Sequence, residues 1–180
     1  FGQLLQEGAE KREDADEQEY ASIILEEVDR INKIVQDMLD FSRQRDLTMS
    51  IIQLDELVQS VVSQLQPVAS TARIKLTCTP DTADRIPIMG SRDKLKQVLL
   101  NIIQNAIQAS TEGGRVRIFM AVGKEPKGLY QEVAIRIQDE GCGMDADVME
   151  KIFNPFYTTK DVGTGLGLSI CQKIMEQHSG

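Results

Sequence analysis

The stretch Ser91–Ser110, SRDKLKQVLLNIIQNAIQAS, decides how the rest of the chain is read. At about 100° per residue, Gln97, Asn101, Gln104, Asn105 and Gln108 fall on one arc of roughly 100° of a helix. Leu95, Val98, Leu99, Leu100, Ile102, Ile103, Ala106, Ile107 and Ala109 take the remaining girth. A solvated helix face is rich in Lys and Glu, whereas this one has carboxamides and no charge, which predicts a mostly buried helix. Buried amides need partners. Those partners are either neighbouring backbone groups or a ligand carrying both donors and acceptors.

Composition bounds what such a ligand can be. With 180 residues, 41% hydrophobic and 27% charged, the chain suffices for one good core and an appendage, and it is neither collagenous nor disordered. A net charge of -8 and a pI near 4.8 argue against nucleic acid and anionic membrane as partners. No apolar run reaches the roughly 18 residues needed to span a bilayer, and no secretory leader is visible, so the chain is expected to be soluble. Cys78, Cys142 and Cys171 are odd in number and lack metal-ligand spacing, which fits a reduced compartment.

Upstream, Phe1–Ala9 reads as the tail of a helix and Glu10–Asp14 as a charged connector. A second helix is predicted from Asp14, where Asp14 and Glu17 have capping-box spacing, to about Arg45, a span of roughly 48 Å. Ile24, Val28, Ile31, Val35 and Met38 form its apolar stripe, widened by Tyr20, Ile23, Ile34 and Phe41. So broad a stripe suits a helical bundle, completed by a second copy of the chain or by the chain's own second domain. The second copy is the expectation.

A break at Leu47–Met49 begins a different composition. Ser50–Leu54 reads as a strand, and Asp55 is expected to cap a helix reaching Ser70 on Leu57, Val58, Val61, Val62 and Leu65. Arg73–Thr79 and Ile86–Met89 read as strands. Ser91 is expected to cap the amide-striped helix, and Gly113 and Gly114 to end it. Arg115–Val122 then pairs with Glu132–Gln138. Helices and strands interleave without the rhythm of a parallel sheet, which favours an α+β layer with helices on one face of a mixed sheet.

The last strand runs into Asp139-Glu140-Gly141-Cys142-Gly143-Met144, a carboxylate at a strand end followed by alternating glycines that let backbone approach a flat ligand. Asp145 caps a short helix, and Phe153-Asn154-Pro155-Phe156-Tyr157-Thr158-Thr159-Lys160 reads as a loop anchor pinning a flap. Gly163-Thr164-Gly165-Leu166-Gly167-Leu168 then opens a helix to about Gln177, and glycines before a helix N-terminus favour phosphate. The one histidine, His178, reads as an incidental surface residue.

Together these four stretches resemble the N, G1, F and G2 boxes of sensor histidine kinases. Ser91–Gln177 looks like the ATP-binding domain of the Bergerat fold, an α/β sandwich shared with gyrase and heat-shock chaperone ATPases. The preceding segment resembles the dimerisation and histidine-phosphotransfer hairpin, half of a dimeric four-helix bundle. The resemblance implies domains at 1–47 and 48–180, and the short flap is most similar to the nitrogen-regulation and sporulation kinase branch.

It also implies roles. Asn105 would bind Mg²⁺ while the phosphates of ATP supply further ligands, and Asn101 would help hold phosphate or metal. Asp139 would accept from the adenine amino group, with Gly141 and Gly143 making room for the base. Phe153 and Phe156 would seat the flap, Thr159 and Lys160 would lie at the phosphates, and Gly163, Thr164, Gly165, Leu166 and Gly167 would line them. Gyrase-like relatives carry a water-activating Glu where this chain has Asn101, and an amide cannot act as that base, so phosphate would go to a protein nucleophile. The implied function is a cytoplasmic ATP-dependent histidine kinase core, homodimeric, passing phosphate from histidine to the receiver domain of a response regulator. A nucleotide-binding scaffold or regulator phosphatase is the alternative. The family's phosphoacceptor histidine lies upstream on the first hairpin helix and is not assignable here, any membrane anchor would lie upstream, and the family's final strand pair would follow Gly180.

Overall fold

The computed structural model describes residues 15–42, 48–80, 85–123, 132–160 and 163–180, in two compact units, Phe1–Gln44 and Arg45–Gly180. In the first unit, α1 spans Ala15–Ser42. Tyr20, Ile23, Ile24, Val28, Ile31, Val35 and Met38, the stripe read from the sequence, are 45–66% exposed. The first helix of the expected hairpin, the connector, Asp14 of the capping box and the end of the second helix near Arg45 lie outside the described residues.

The second unit runs β1 (Ser50–Gln53), α2 (Leu54–Thr71), β2 (Lys75–Pro80), β3 (Pro87–Gly90), α3 (Arg92–Ala109), β4 (Arg115–Val122), β5 (Val133–Asp139), α4 (Ala146–Met149) and α5 (Gly167–Gln177). β2, β4 and β5 form one sheet, parallel between β2 and β4 and antiparallel between β4 and β5. β1 and β3 form a separate antiparallel ribbon. The α+β class with a mixed sheet is therefore as expected. The alternation of Val116, Ile118 and Met120 turns one face of β4 inward. That face meets Leu57, Val58, Val61 and Leu65 of α2 and Leu95, Leu99, Ile103, Ala106 and Ile107 of α3. Leu57, Ile103 and Ile118 are fully buried, and burying each contributes about 1.5–3 kcal/mol.

Several boundaries differ from the sequence reading for local reasons. Asp55 does not cap α2. The helix leaves β1 directly, Gln53 holds the N-cap position, and Asp55 sits in the first turn, where its Oδ1 accepts the Ile86 N–H at 3.1 Å. β2 starts at Lys75 because Arg73 and Ile74 close α2: their N–H groups donate to Ser70 and Ala69, with Arg73 at φ +56°. Ser91 occupies the N-cap position of α3 but makes no side-chain capping bond. α3 ends before the glycines, capped by Ser110, and Gly113 at φ +82° lies in the following turn. Asp145 does cap α4, accepting the Val148 N–H at 2.8 Å.

Candidate nucleotide site

α3 is the spine of the site, and three loops dock along it at successive i, i+4 positions, which share one face. At Asn101, half-buried, the amide Nδ2 donates to the Gly167 carbonyl at 3.4 Å. A Cβ on Gly167 would lie 3.3 Å from Asn101 Oδ1, so the glycine permits this approach. Beneath them Cys171 is buried, its Sγ 3.9 Å from the Val98 carbonyl and also hydrogen-bonded to the Asn101 side chain. Burial pushes its thiol up to about 11, with the Asn101 contact pulling the other way, so it stays protonated.

One turn on, the Lys160 ammonium donates to Asn105 Oδ1 at 2.8 Å and Gln108 Oε1 at 2.6 Å. The Thr158 hydroxyl accepts the Lys160 N–H at 3.1 Å, which shapes the backbone presenting that lysine. Another turn on, Cys142 N–H donates to the Ala109 carbonyl at 3.2 Å and Ser110 bridges Gly141. Asp139 sits at the end of β5, its Oδ1 accepting the Gly141 N–H at 2.9 Å in a tight turn and its carboxylate exposed.

Gly141 and Gly143 are required for two different local reasons. A Cβ on Gly141 would lie 2.6 Å from the Ala109 carbonyl oxygen, so it is the end of α3 that demands a glycine there. Gly143, at φ +71° with nothing near it, is demanded by backbone conformation. The rings of Phe153 and Phe156 are 47% and 60% exposed. Phe156 adopts φ +68° and brings its backbone against Gly165, where a Cβ would lie 2.4 Å from the Phe156 carbonyl carbon. Leu166 is 1% exposed; its side chain belongs to the core, leaving only its backbone for a ligand. Thr159 and Gly163 are exposed, and Thr164 Oγ1 accepts the Leu166 N–H at 3.3 Å.

Sequence reasoning missed two residues and misassigned a third. Gln108 belongs to the amide stripe yet was not singled out for the site, and Cys171 carried no signal at all. His178 is no incidental surface residue: its Nε2 accepts the Ser91 N–H at 2.9 Å and its Nδ1 lies 2.7 Å from the Ile174 carbonyl.

Asn105 Oδ1 faces a positive group, which is the test of whether a hard cation fits. Among the described residues no group of three or more His, Cys, Asp or Glu could hold a metal. A cation here would thus take one amide oxygen from the chain and the rest from phosphates and water, a set that suits Mg²⁺.

Residues 90–180 match the histidine kinase-, DNA gyrase B- and HSP90-like ATPases, and residues 1–47 match the His Kinase A (phospho-acceptor) domain. The chain belongs to this ATPase family. The chain is 41% identical over 163 residues to the signal transduction histidine-protein kinase AtoS of Escherichia coli (strain K12), covering 91% of this chain and 26% of AtoS. It therefore spans about a quarter of the length of that curated relative. Histidine kinase ThkA, solved in complex with response regulator protein TrrA, superposes with a TM-score of 0.72 at 32% identity, over 91% of this chain and 45% of that one. Full-length ShkA in complex with AMPPNP gives 0.76 at 25% identity, over 90% and 34%. No helix among the described residues is long and apolar enough to cross a membrane.

Proposed function

We propose that this chain is the ATP-dependent phosphotransfer core of a two-component histidine kinase, with a dimerisation and phosphotransfer hairpin at 1–47 and a catalytic domain at 48–180. The observation that carries the reading is the docking of three loops on one face of α3: Gly167 at Asn101, Lys160 at Asn105 and Gly141 at the helix end. The AMPPNP held by ShkA supports an adenine nucleotide as ligand. Asp139 accepts from the adenine amino group through the carboxylate oxygen not engaged with Gly141. Asn105 presents Oδ1 to Mg²⁺, which when bound neutralises phosphate charge. Lys160 moves from that oxygen to the phosphates, and the Gly163–Gly167 backbone lines them. Asn101 cannot activate water, so the terminal phosphate goes to a histidine on the hairpin rather than to solvent.

The half-exposed stripe of α1 supports a homodimer, in which two hairpins make a four-helix bundle. The ThkA–TrrA complex supports a receiver domain as the next phosphate carrier. The core works in the cytoplasm. The test supplies the chain with Mg²⁺-ATP and a hairpin fragment bearing the family's histidine. Acid-labile, base-stable phosphate on that fragment is expected. ATP binding without any such label would turn the reading toward a scaffold or a regulator phosphatase.

A further inference from the structure

α3 and α5 run antiparallel along a seam with three ties. From Ser91 to Val98 to Asn101 on one helix the steps are seven and three residues; from His178 to Cys171 to Gly167 on the other they are seven and four. The ties therefore keep one register, about 15 Å long at 1.5 Å per residue. Two of them are weak: Cys171 is a thiol at 3.9 Å, and the Asn101–Gly167 bond is 3.4 Å long. The tie through His178 is the short one. With Nδ1–H donating to Ile174, Nε2 is the acceptor for the Ser91 N–H, one of the donors that a helix start leaves without an intrahelical partner. Neither the Ser91 side chain nor any other capping side chain serves that end. The ring also fills the space over Gly90, where a Cβ would meet its Cδ2 at 3.3 Å.

We propose that His178 is a positioning residue for the nucleotide site: its bond to Ser91 sets the register of α5 against α3 and so the placement of Gly167 against Asn101. The inference rests on the nucleotide-site reading of those two residues. His178 lies at the far end of the seam from Asn101 and acts only through the two helices. A slip of α5 by a fraction of a turn would carry the Gly163–Gly167 backbone away from the α3 amides.

The test is calorimetric titration of the whole chain with Mg²⁺-ATP for the native protein and His178→Ala, His178→Phe and His178→Gln, with the unfolding midpoint of each measured alongside. Gln keeps an acceptor near the Nε2 position, whereas Phe keeps a ring without one. The expected result is ATP binding about five- to tenfold weaker for Ala and Phe, on the scale of one lost hydrogen bond, and restored to within about twofold by Gln. If Ala does not fold, the Phe and Gln pair decides. Native-like affinity in Phe, or Gln as weak as Phe, overturns the proposal, because packing or mere stability would then be the whole role of His178. Failure of the native chain itself to bind ATP would sink the nucleotide-site reading, and this inference with it.

Discussion

Gly141 and Gly143 sit two residues apart in the same loop, and the structure assigns them different costs on substitution. In Gly141→Ala the new Cβ would lie 2.6 Å from the Ala109 carbonyl oxygen and 2.8 Å from Asp139 Oδ1. The Ala109 oxygen is backbone and cannot swing aside, so the loop has to recede from α3, and the exposed Asp139 carboxylate has to turn away. Receding weakens two bonds, Cys142 N–H to Ala109 and Gly141 N–H to Asp139. At about 1 kcal/mol each, with about 1–3 kcal/mol for whatever overlap remains, the loss should be about 3–5 kcal/mol. Gly143→Ala meets nothing within 4 Å but keeps φ +71°, which costs about 1–2 kcal/mol for an L-residue. Urea unfolding of both variants at one pH measures the difference directly. A domain with typical stability stays folded in either case. Equal costs, or a larger loss in Gly143→Ala, would refute the argument that the end of α3 dictates Gly141.

Asn105→Ala should weaken ATP binding mainly when Mg²⁺ is present; an equal loss in EDTA contradicts the metal role. Asp139→Asn keeps an oxygen for the Gly141 N–H but replaces the other carboxylate oxygen with a donor. It should reduce the preference for ATP over GTP at little cost in stability, and an unchanged preference measured by titration counts against it. Cys171 has its thiol raised from 9.0 to about 11 in the folded chain by burial. Its contribution to stability is therefore complete below pH 9 and is lost as pH rises toward 11, at no more than about 1.4 kcal/mol per pH unit. Cys171→Ala should flatten the stability curve over that window, and identical slopes would show that the thiol does not titrate as described.

How much was legible in the sequence follows the range of the interactions involved. β4 was read to the residue because alternation over Arg115–Val122 is a local signal. The amide stripe of α3 was visible because its period repeats through the helix. What failed was long-range or backbone-borne. Asp55 has capping chemistry, yet its partner Ile86 is 31 residues away, a contact no local pattern announces. His178 looks like a helix tail until Ser91, 87 residues upstream, is brought beside it. That Phe156 meets Gly165 through its backbone at positive φ is likewise invisible to residue type. The four motifs suggested a common site through a family resemblance. Their convergence on α3 is visible only in three dimensions.

The even spacing of the docked loops makes α3 a gauge. Asn101, Asn105 and Ala109 are one helical turn apart, about 6 Å per step, so the distance between the loop after β5 and the glycines before α5 is fixed by helix pitch. Loop length can drift without changing that gauge, since an insertion between docking points is absorbed in the bulge of the loop. An insertion inside α3 cannot be absorbed: one residue between Asn101 and Ala109 would swing everything beyond it by about 100°. Length changes among related chains should therefore gather in the loops, while the interval from Asn101 to Ala109 stays constant.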